Sequence, residues 1–304
     1  MRQSGHRKQL SVKGDERDGF LSRAKALQKP HIPYGLILKH ADVHQTEISG
    51  YPLLILSSRK KSNPDALLYL YGGAFIAPPS SAHFMLAAHL SQFTGCDVYF
   101  PLYPLLPDHP IHEAVELVID VINRVMTRSG AGKTCLIGFS SGANLALYSF
   151  MYIHHEGIDS CFPHRLILNS PLLRLPASRA DYSAMVMKRP SRDAALPLSF
   201  FEADGLAGWM VDHEEERYRY LADVLSYDLH GLPDTDLFYG SAELSEVNLA
   251  EMEAKCQKEL IRLKVHTGKD MMHCWGLYSI FPEGVETQQE YVRIINSMSY
   301  HPVQ

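Results

Sequence analysis

Several things are scarce in this sequence, and each scarcity removes a class of protein. No apolar run reaches membrane-spanning length; the longest, Ala66 to Pro79, is interrupted by Gly72-Gly73. Met1 to Asp18 is polar and charged with no apolar core, which is not the pattern of a signal peptide. There is no Asn-x-Ser/Thr sequon with a permitted middle residue and no Cys-x-x-Cys pair. The five cysteines, Cys96, Cys135, Cys161, Cys256 and Cys274, are odd in number and scattered, which argues against a disulfide framework and for a reducing compartment. Positive charge is not in excess: the net charge is −5, which argues against a general nucleic-acid surface. No internal repeat and no low-complexity segment is present. The expectation is a soluble cytoplasmic protein with no membrane span and no nucleic-acid partner.

What is there suits a sizeable core. The 304 residues are 46% hydrophobic and 21% charged, enough for one large α/β domain or two small ones. Residues 1–20 are expected to be flexible, with a short helix over Phe20 to Leu27. Leu36 to Lys39, Gln45 to Ile48 and Tyr51 to Ser57 are expected to be extended, with Ser49-Gly50 as a turn. Then strand and helix alternate: strand Ala66 to Tyr71, helix Ser80 to Phe93, strand Asp97 to Pro101 and a helix opening at Pro110. In that helix Ile111, Ala114, Val115, Val118, Val121, Ile122 and Val125 share one face. Strand Thr134 to Phe139, helix Ser141 to His155 and strand Arg165 to Asn169 follow. From Ala177 to about Tyr227 the alternation stops, and that stretch reads as an insertion. It resumes with strand Asp236 to Tyr239, helix Ser245 to Leu260, strand Arg262 to His266 and helix Val285 to Met298. Buried, non-alternating strands between helices predict a mostly parallel sheet covered on both faces.

The organising stretch is Leu136 to Ala146. A buried strand ends in Gly138-Phe139-Ser140-Ser141-Gly142, and a helix of small and apolar residues follows. A Gly-x-Ser-x-Gly match alone is weak, arising by chance on the order of one time in ten in a chain this long. Between a strand and a helix it reads as a nucleophile elbow: the serine sits on a sharp turn, and the residues two before and two after come close together and must be small. The helix that follows aims its unpaired N–H groups at developing negative charge.

The partners of Ser140 are sought at the ends of the other strands. Tyr71-Gly72-Gly73-Ala74 follows a strand, and Gly72 and Gly73 with the N–H of Ser141 could form an oxyanion hole. A plain glycine turn is the blander reading; its place one strand–helix unit before the elbow favours function. The base should be a histidine after the last strand. Sixteen histidines make any one a poor choice by itself, but His273 lies between the last strand and the last helix. The acid should follow the preceding strand, where Tyr239-Gly240-Ser241-Ala242-Glu243 supplies Glu243. A glutamate at a helix start is also favourable through the helix dipole alone. Two decoys are set aside. Ser129-Gly130-Ala131-Gly132-Lys133-Thr134 lacks the first glycine of a phosphate loop and runs from helix into strand, the wrong way round. His40 and His44 have helical metal-ligand spacing, but the segment reads as extended and no third ligand is evident.

Taken together these residues resemble the hormone-sensitive-lipase-like family of α/β-hydrolase esterases. Tyr71-Gly72-Gly73-Ala74 is similar to the family's His-Gly-Gly-Gly/Ala, and Gly138 through Ala146 to its Gly-Asp-Ser-Ala-Gly-Gly-Asn-Leu-Ala. Tyr103-Pro104-Leu105-Leu106-Pro107-Asp108-His109-Pro110 is similar to its Tyr-x-Leu-x-Pro-Glu-His-Pro segment. The resemblance covers roughly residues 35–300. It implies an α/β-hydrolase fold, a mostly parallel central sheet with helices on both faces and a small cap. Residues 1–304 would form a single domain, with residues 1–30 and 177–227 as cap elements. Three positions depart from the pattern: Tyr71 for histidine, Phe139 for aspartate and Glu243 for the commoner aspartate.

The implied activity is hydrolysis of small-molecule carboxylic esters by acyl transfer through Ser140, His273 and Glu243, with Gly72, Gly73 and Ser141 holding the oxyanion and no cofactor or metal. Phe200, Phe201, Trp209 and Met210 in the presumed cap suggest short-chain or compact acyl groups. A non-catalytic small-molecule receptor on the same fold, and a hydrolase of amides or thioesters, are the competing readings. The sequence does not specify an oligomeric state.

Overall fold

The structure, a computed structural model, describes residues 10–60, 62–128, 132–188 and 193–298. Nine helices of at least one turn, α1 to α9, and eight strands are found among them. In chain order these are α1 (Gly14–Ala26), α2 (Tyr34–Ile37), β1 (Ala41–Ile48), β2 (Tyr51–Ser58), β3 (Ala66–Leu70), α3 (Ser81–Thr94), β4 (Asp97–Pro101) and α4 (Ile111–Met126). Next come β5 (Thr134–Phe139), α5 (Ser141–Glu156), β6 (Arg165–Asn169), α6 (Arg179–Met187) and α7 (Leu206–Asp212). The chain closes with β7 (Asp234–Gly240), α8 (Leu249–Lys258), β8 (Leu263–Gly268) and α9 (Pro282–Ser297).

One eight-stranded sheet runs in the order β1-β2-β4-β3-β5-β6-β7-β8. The β1–β2 and β2–β4 pairs are antiparallel and all the others parallel. Every residue of β3 and β5 is buried, so both faces of the sheet centre are covered. Helix α3 packs against α9, and α4 against α5. The apolar stripe of α4 is buried along its length, as its spacing requires. Ser49 (φ +49°) and Gly50 (φ +81°) turn the first hairpin, the positive-φ pair whose twist matches the strands it joins. Strand β8 lies at the edge of the sheet and has only half-buried and exposed residues.

Some local expectations shift. Helix α1 begins at Gly14, six residues before the expected start, within a stretch expected to be flexible; residues 1–9 of that stretch lie outside the described residues. Leu36 to Lys39 is not extended: Pro33 opens one helical turn, Tyr34–Ile37, that buries Ile37 and leaves Leu36 and Leu38 outside. A three-residue apolar run carries no period, so it cannot separate helix from strand. The helix expected from Ser245 starts as a 3₁₀ turn, Ser245–Asn248, and becomes α-helical only at Leu249. The side chains of Ser245 and Asn248 are committed to Glu243 and Asp181, which competes with regular helix geometry.

Between β6 and β7, α6, α7 and three 3₁₀ turns replace the strand–helix alternation. Ser178 caps α6 reciprocally with Asp181. Phe200, Phe201 and Met210 are buried in the common core, and Trp209 is half-buried against it. Lys13, just before α1, pairs with Glu202 and with Asp204 (2.9 Å) of this segment. Residues 189–192 of it lie outside the described residues.

Candidate active site

The C-terminal ends of the parallel strands converge on one edge of the sheet, where ligands meet folds of this kind. At the end of β5, Ser140 has φ +51° and ψ −121°, a conformation that non-glycine residues rarely adopt. It is held by its N–H, which donates to the Asn169 carbonyl oxygen at 2.8 Å. A Cβ on Gly138 would stand 2.6 Å from the Ala143 Cα, and one on Gly142 would collide with the carbonyl oxygens of Leu70 and Tyr71. The elbow therefore admits nothing larger than glycine at either position.

The three residues selected from the sequence come together. His273 Nε2 lies 2.8 Å from Ser140 Oγ, and His273 Nδ1 lies 3.0 Å from Glu243 Oε2. Glu243 is fully buried and His273 nearly so. A carboxylate only accepts, so Nδ1 carries the proton and Nε2 is left to accept from the serine hydroxyl. Both Glu243 oxygens are occupied. Oε1 accepts from Ser170 Oγ (2.8 Å) and the Gly240 N–H (2.6 Å); Oε2 accepts from Ser245 Oγ (3.2 Å) besides serving the imidazole. Burial works against a charged His273 ring, but adjacent Cys274 and the Glu243 carboxylate outweigh it and hold its pKa well above the ordinary 6.5.

Three of the rival carboxylates are paired elsewhere. Asp234 and Asp236 lie at the opposite end of β7, paired with Arg165. Glu246 pairs with Lys188. Asp270 shares a loop with His273, and its N–H donates to Ser241 Oγ at 2.8 Å.

On the β3 side, both expected glycine donors already have acceptors within the protein. The Gly72 N–H donates to His83 Nε2 at 3.2 Å and is committed there. His83, on α3, is buried, and burial pushes its pKa down to about 3, so it stays a neutral acceptor. With Nε2 accepting, its Nδ1–H donates to the Tyr69 hydroxyl at 2.9 Å. The Gly73 N–H donates to Ser141 Oγ at 3.0 Å, which joins the glycine loop to the elbow helix. The Ser141 N–H opens α5 and has no intrahelical acceptor. Ala74 follows at φ +53°, a further backbone donor at this bend. Tyr71, in the place of the family's histidine, stacks on Tyr103 with ring centres 4.1 Å apart. A cavity of about 520 Å³ adjoins Gly73, walled by Leu10, Val12, Phe20, Leu27 and Ile76.

The sequence reasoning missed His83, Asn169 and Ser170. The last two had a signal, a polar Asn-Ser-Pro at the end of a buried strand. The decoys do not assemble a site. His40 Nδ1 is bonded to Gln92 at 2.7 Å, and no cluster of three potential metal ligands occurs among the described residues. Ser129, Gly130 and Ala131 lie outside the described residues.

Comparison with known proteins gives the class. The family described as the alpha/beta hydrolase fold matches residues 67–277, and the chain belongs to that family. It is similar to an esterase of Acinetobacter venetianus, 26% identical over 76% of this chain and 75% of the relative. It is also similar to an acetyl-hydrolase of Streptomyces hygroscopicus, 27% identical over 72% of this chain and 71% of the relative. In three dimensions it superposes on an esterase from the bacterial hormone-sensitive lipase family with a TM-score of 0.75, at 17% identity, covering 96% of this chain and 95% of the other.

Proposed function

We propose that this protein is a serine esterase that cleaves small carboxylic esters through Ser140, His273 and Glu243. The unbroken chain of hydrogen bonds from Ser140 Oγ through His273 to the buried Glu243 carboxylate carries this reading. The Ser140 hydroxyl attacks the ester carbonyl while its proton passes to His273 Nε2. Glu243 stabilises the imidazolium on the other side of the ring. The N–H groups of Ala74 and Ser141 hold the oxyanion, while Gly72 and Gly73 act through their links to His83 and Ser141 Oγ. His273 then protonates the departing alcohol, and water, deprotonated by the same ring, releases the acid. A receptor on the same fold would not need a histidine bonded to the serine, so the retained His273 contact favours catalysis.

Residues 1–30 and 177–227 are read as cap elements of one domain spanning residues 1–304. Lys13 ties the first to the second through Glu202 and Asp204. The bulky cap residues Phe200, Phe201 and Met210 fill space, which supports a preference for short or compact acyl groups. A graded series of p-nitrophenyl esters tests the activity and the preference together. The expected result is a kcat/KM that peaks near butyrate; a maximum at the long chains would reject the compact pocket, and no turnover of any ester would reject the esterase. All five cysteines are free thiols, which supports a reducing, cytoplasmic setting.

The protonation of His273 sets the pH dependence. Only the neutral ring can take the serine proton, and its pKa is raised, so the protonated, inactive form persists to higher pH than for an ordinary histidine. The expected result is a kcat/KM that rises with pH with a midpoint above 6.5. A pH–rate profile on a neutral ester checks it; a midpoint below that value would show that burial, not the neighbouring groups, dominates.

A further inference from the structure

The dipeptide Asn169-Ser170, at the end of β6, touches the loops of all three triad members. The Asn169 carbonyl oxygen takes the Ser140 N–H, fixing the nucleophile turn. Ser170 Oγ donates to Glu243 Oε1 at 2.8 Å and accepts the N–H of Cys274, the residue after His273, at 3.0 Å. A hydroxyl has one proton to give and lone pairs to receive, so a single atom ties the acid to the backbone beside the base. The side chain is fully buried, and the Ser170 N–H is anchored on the Phe238 carbonyl of β7.

We propose that Ser170 is a positioning residue of the reaction, one that fixes which oxygen of Glu243 faces His273. The inference rests on the triad reading above. Glutamate has one more rotatable bond than aspartate and more conformational freedom to lose. Here Ser170 Oγ and the Gly240 N–H hold Oε1, so Oε2 is the oxygen presented to the imidazole. The backbone points the same way. Ser170 has φ +51°, where glycine would be free of strain. A position needed only for its backbone shape would be better filled by glycine, so the hydroxyl is what serine supplies.

The test is a double-mutant cycle between Ser170→Gly and Glu243→Gln on one activated ester. Removing the hydroxyl is expected to lower kcat by about 10- to 100-fold, because the carboxylate can then swing off the imidazole, while KM stays within about 2-fold. Because Ser170 acts through Glu243, the double variant should lose no more than Glu243→Gln alone, to within about 3-fold. Ser170→Ala removes the same hydroxyl and should match the glycine variant. The proposal is overturned if Ser170→Gly keeps kcat within about 3-fold of the parent, or if the two losses multiply. It is equally overturned if alanine is far worse than glycine, or if the glycine variant loses its native near-ultraviolet circular dichroism, since the role would then be structural. A silent Glu243→Gln would condemn the triad assignment; a crippling Glu243→Gln beside a silent Ser170→Gly condemns this inference alone.

Discussion

Ser140→Ala is expected to lower kcat on an activated ester by about four to six powers of ten while leaving the fold and ester binding intact. The size follows from what is lost. Without the hydroxyl no acyl-enzyme forms, and His273 and Glu243 have no nucleophile to activate. What remains is the backbone donors and the pocket, which can still help a water molecule a little. The methyl group of alanine fits the space that the serine Cβ already occupies, although φ +51° remains unfavourable. A fluorophosphonate probe gives the direct readout: the parent should be labelled at Ser140 by mass spectrometry and Ser140→Ala not at all. Labelling of the folded parent at another serine, or an alanine variant with near-parent turnover, would remove Ser140 from the mechanism.

The second large effect is expected at the acid. Glu243→Gln should cost about three to four powers of ten in kcat, with KM nearly unchanged. The glutamine is nearly the same size, but the amide has no charge with which to stabilise the imidazolium. It can also turn its NH₂ toward Nδ1 and force the ring into the wrong tautomer. Because Glu243 is fully buried and donors occupy both of its oxygens, no water can replace the lost charge. The controls are Glu246→Gln and Asp270→Asn, each expected within about 10-fold of the parent because Glu246 serves Lys188 and Asp270 sits on the His273 loop without bonding its ring. Steady-state kinetics of the three variants on one ester decides among them. A crippling Asp270→Asn or Glu246→Gln beside a nearly silent Glu243→Gln would reassign the acid.

How much of this was legible in the sequence depended on how local the cause was. The amphipathic stripe of α4 and the buried runs of β3, β5 and β6 are written in residue periodicity, and the structure places them where that periodicity predicts. Ser140, Glu243 and His273 could be picked out as candidates because each follows a strand, and the fold brings them into hydrogen-bond contact. The engagement of Gly72 by His83 was not legible. It depends on how α3 lies over the end of β3, a packing relation with no local sequence sign. Leu36 to Lys39 failed for a related reason: a run that short takes its shape from what it docks on. Ser170 escaped because its signal, a polar residue after a strand, also marks ordinary turns.

The place of β8 in the sheet has a consequence for how the site comes into being. The nucleophile elbow is built from neighbours in the middle of the sheet, but the histidine hangs from a loop that only the last, outermost strand delivers. Contacts so distant along the chain form late, and edge strands are the first to fray. A chain whose edge has opened would keep its serine turn and lose the proposed base. The proposed base thus depends on an edge strand, and the proposed nucleophile on the centre of the sheet.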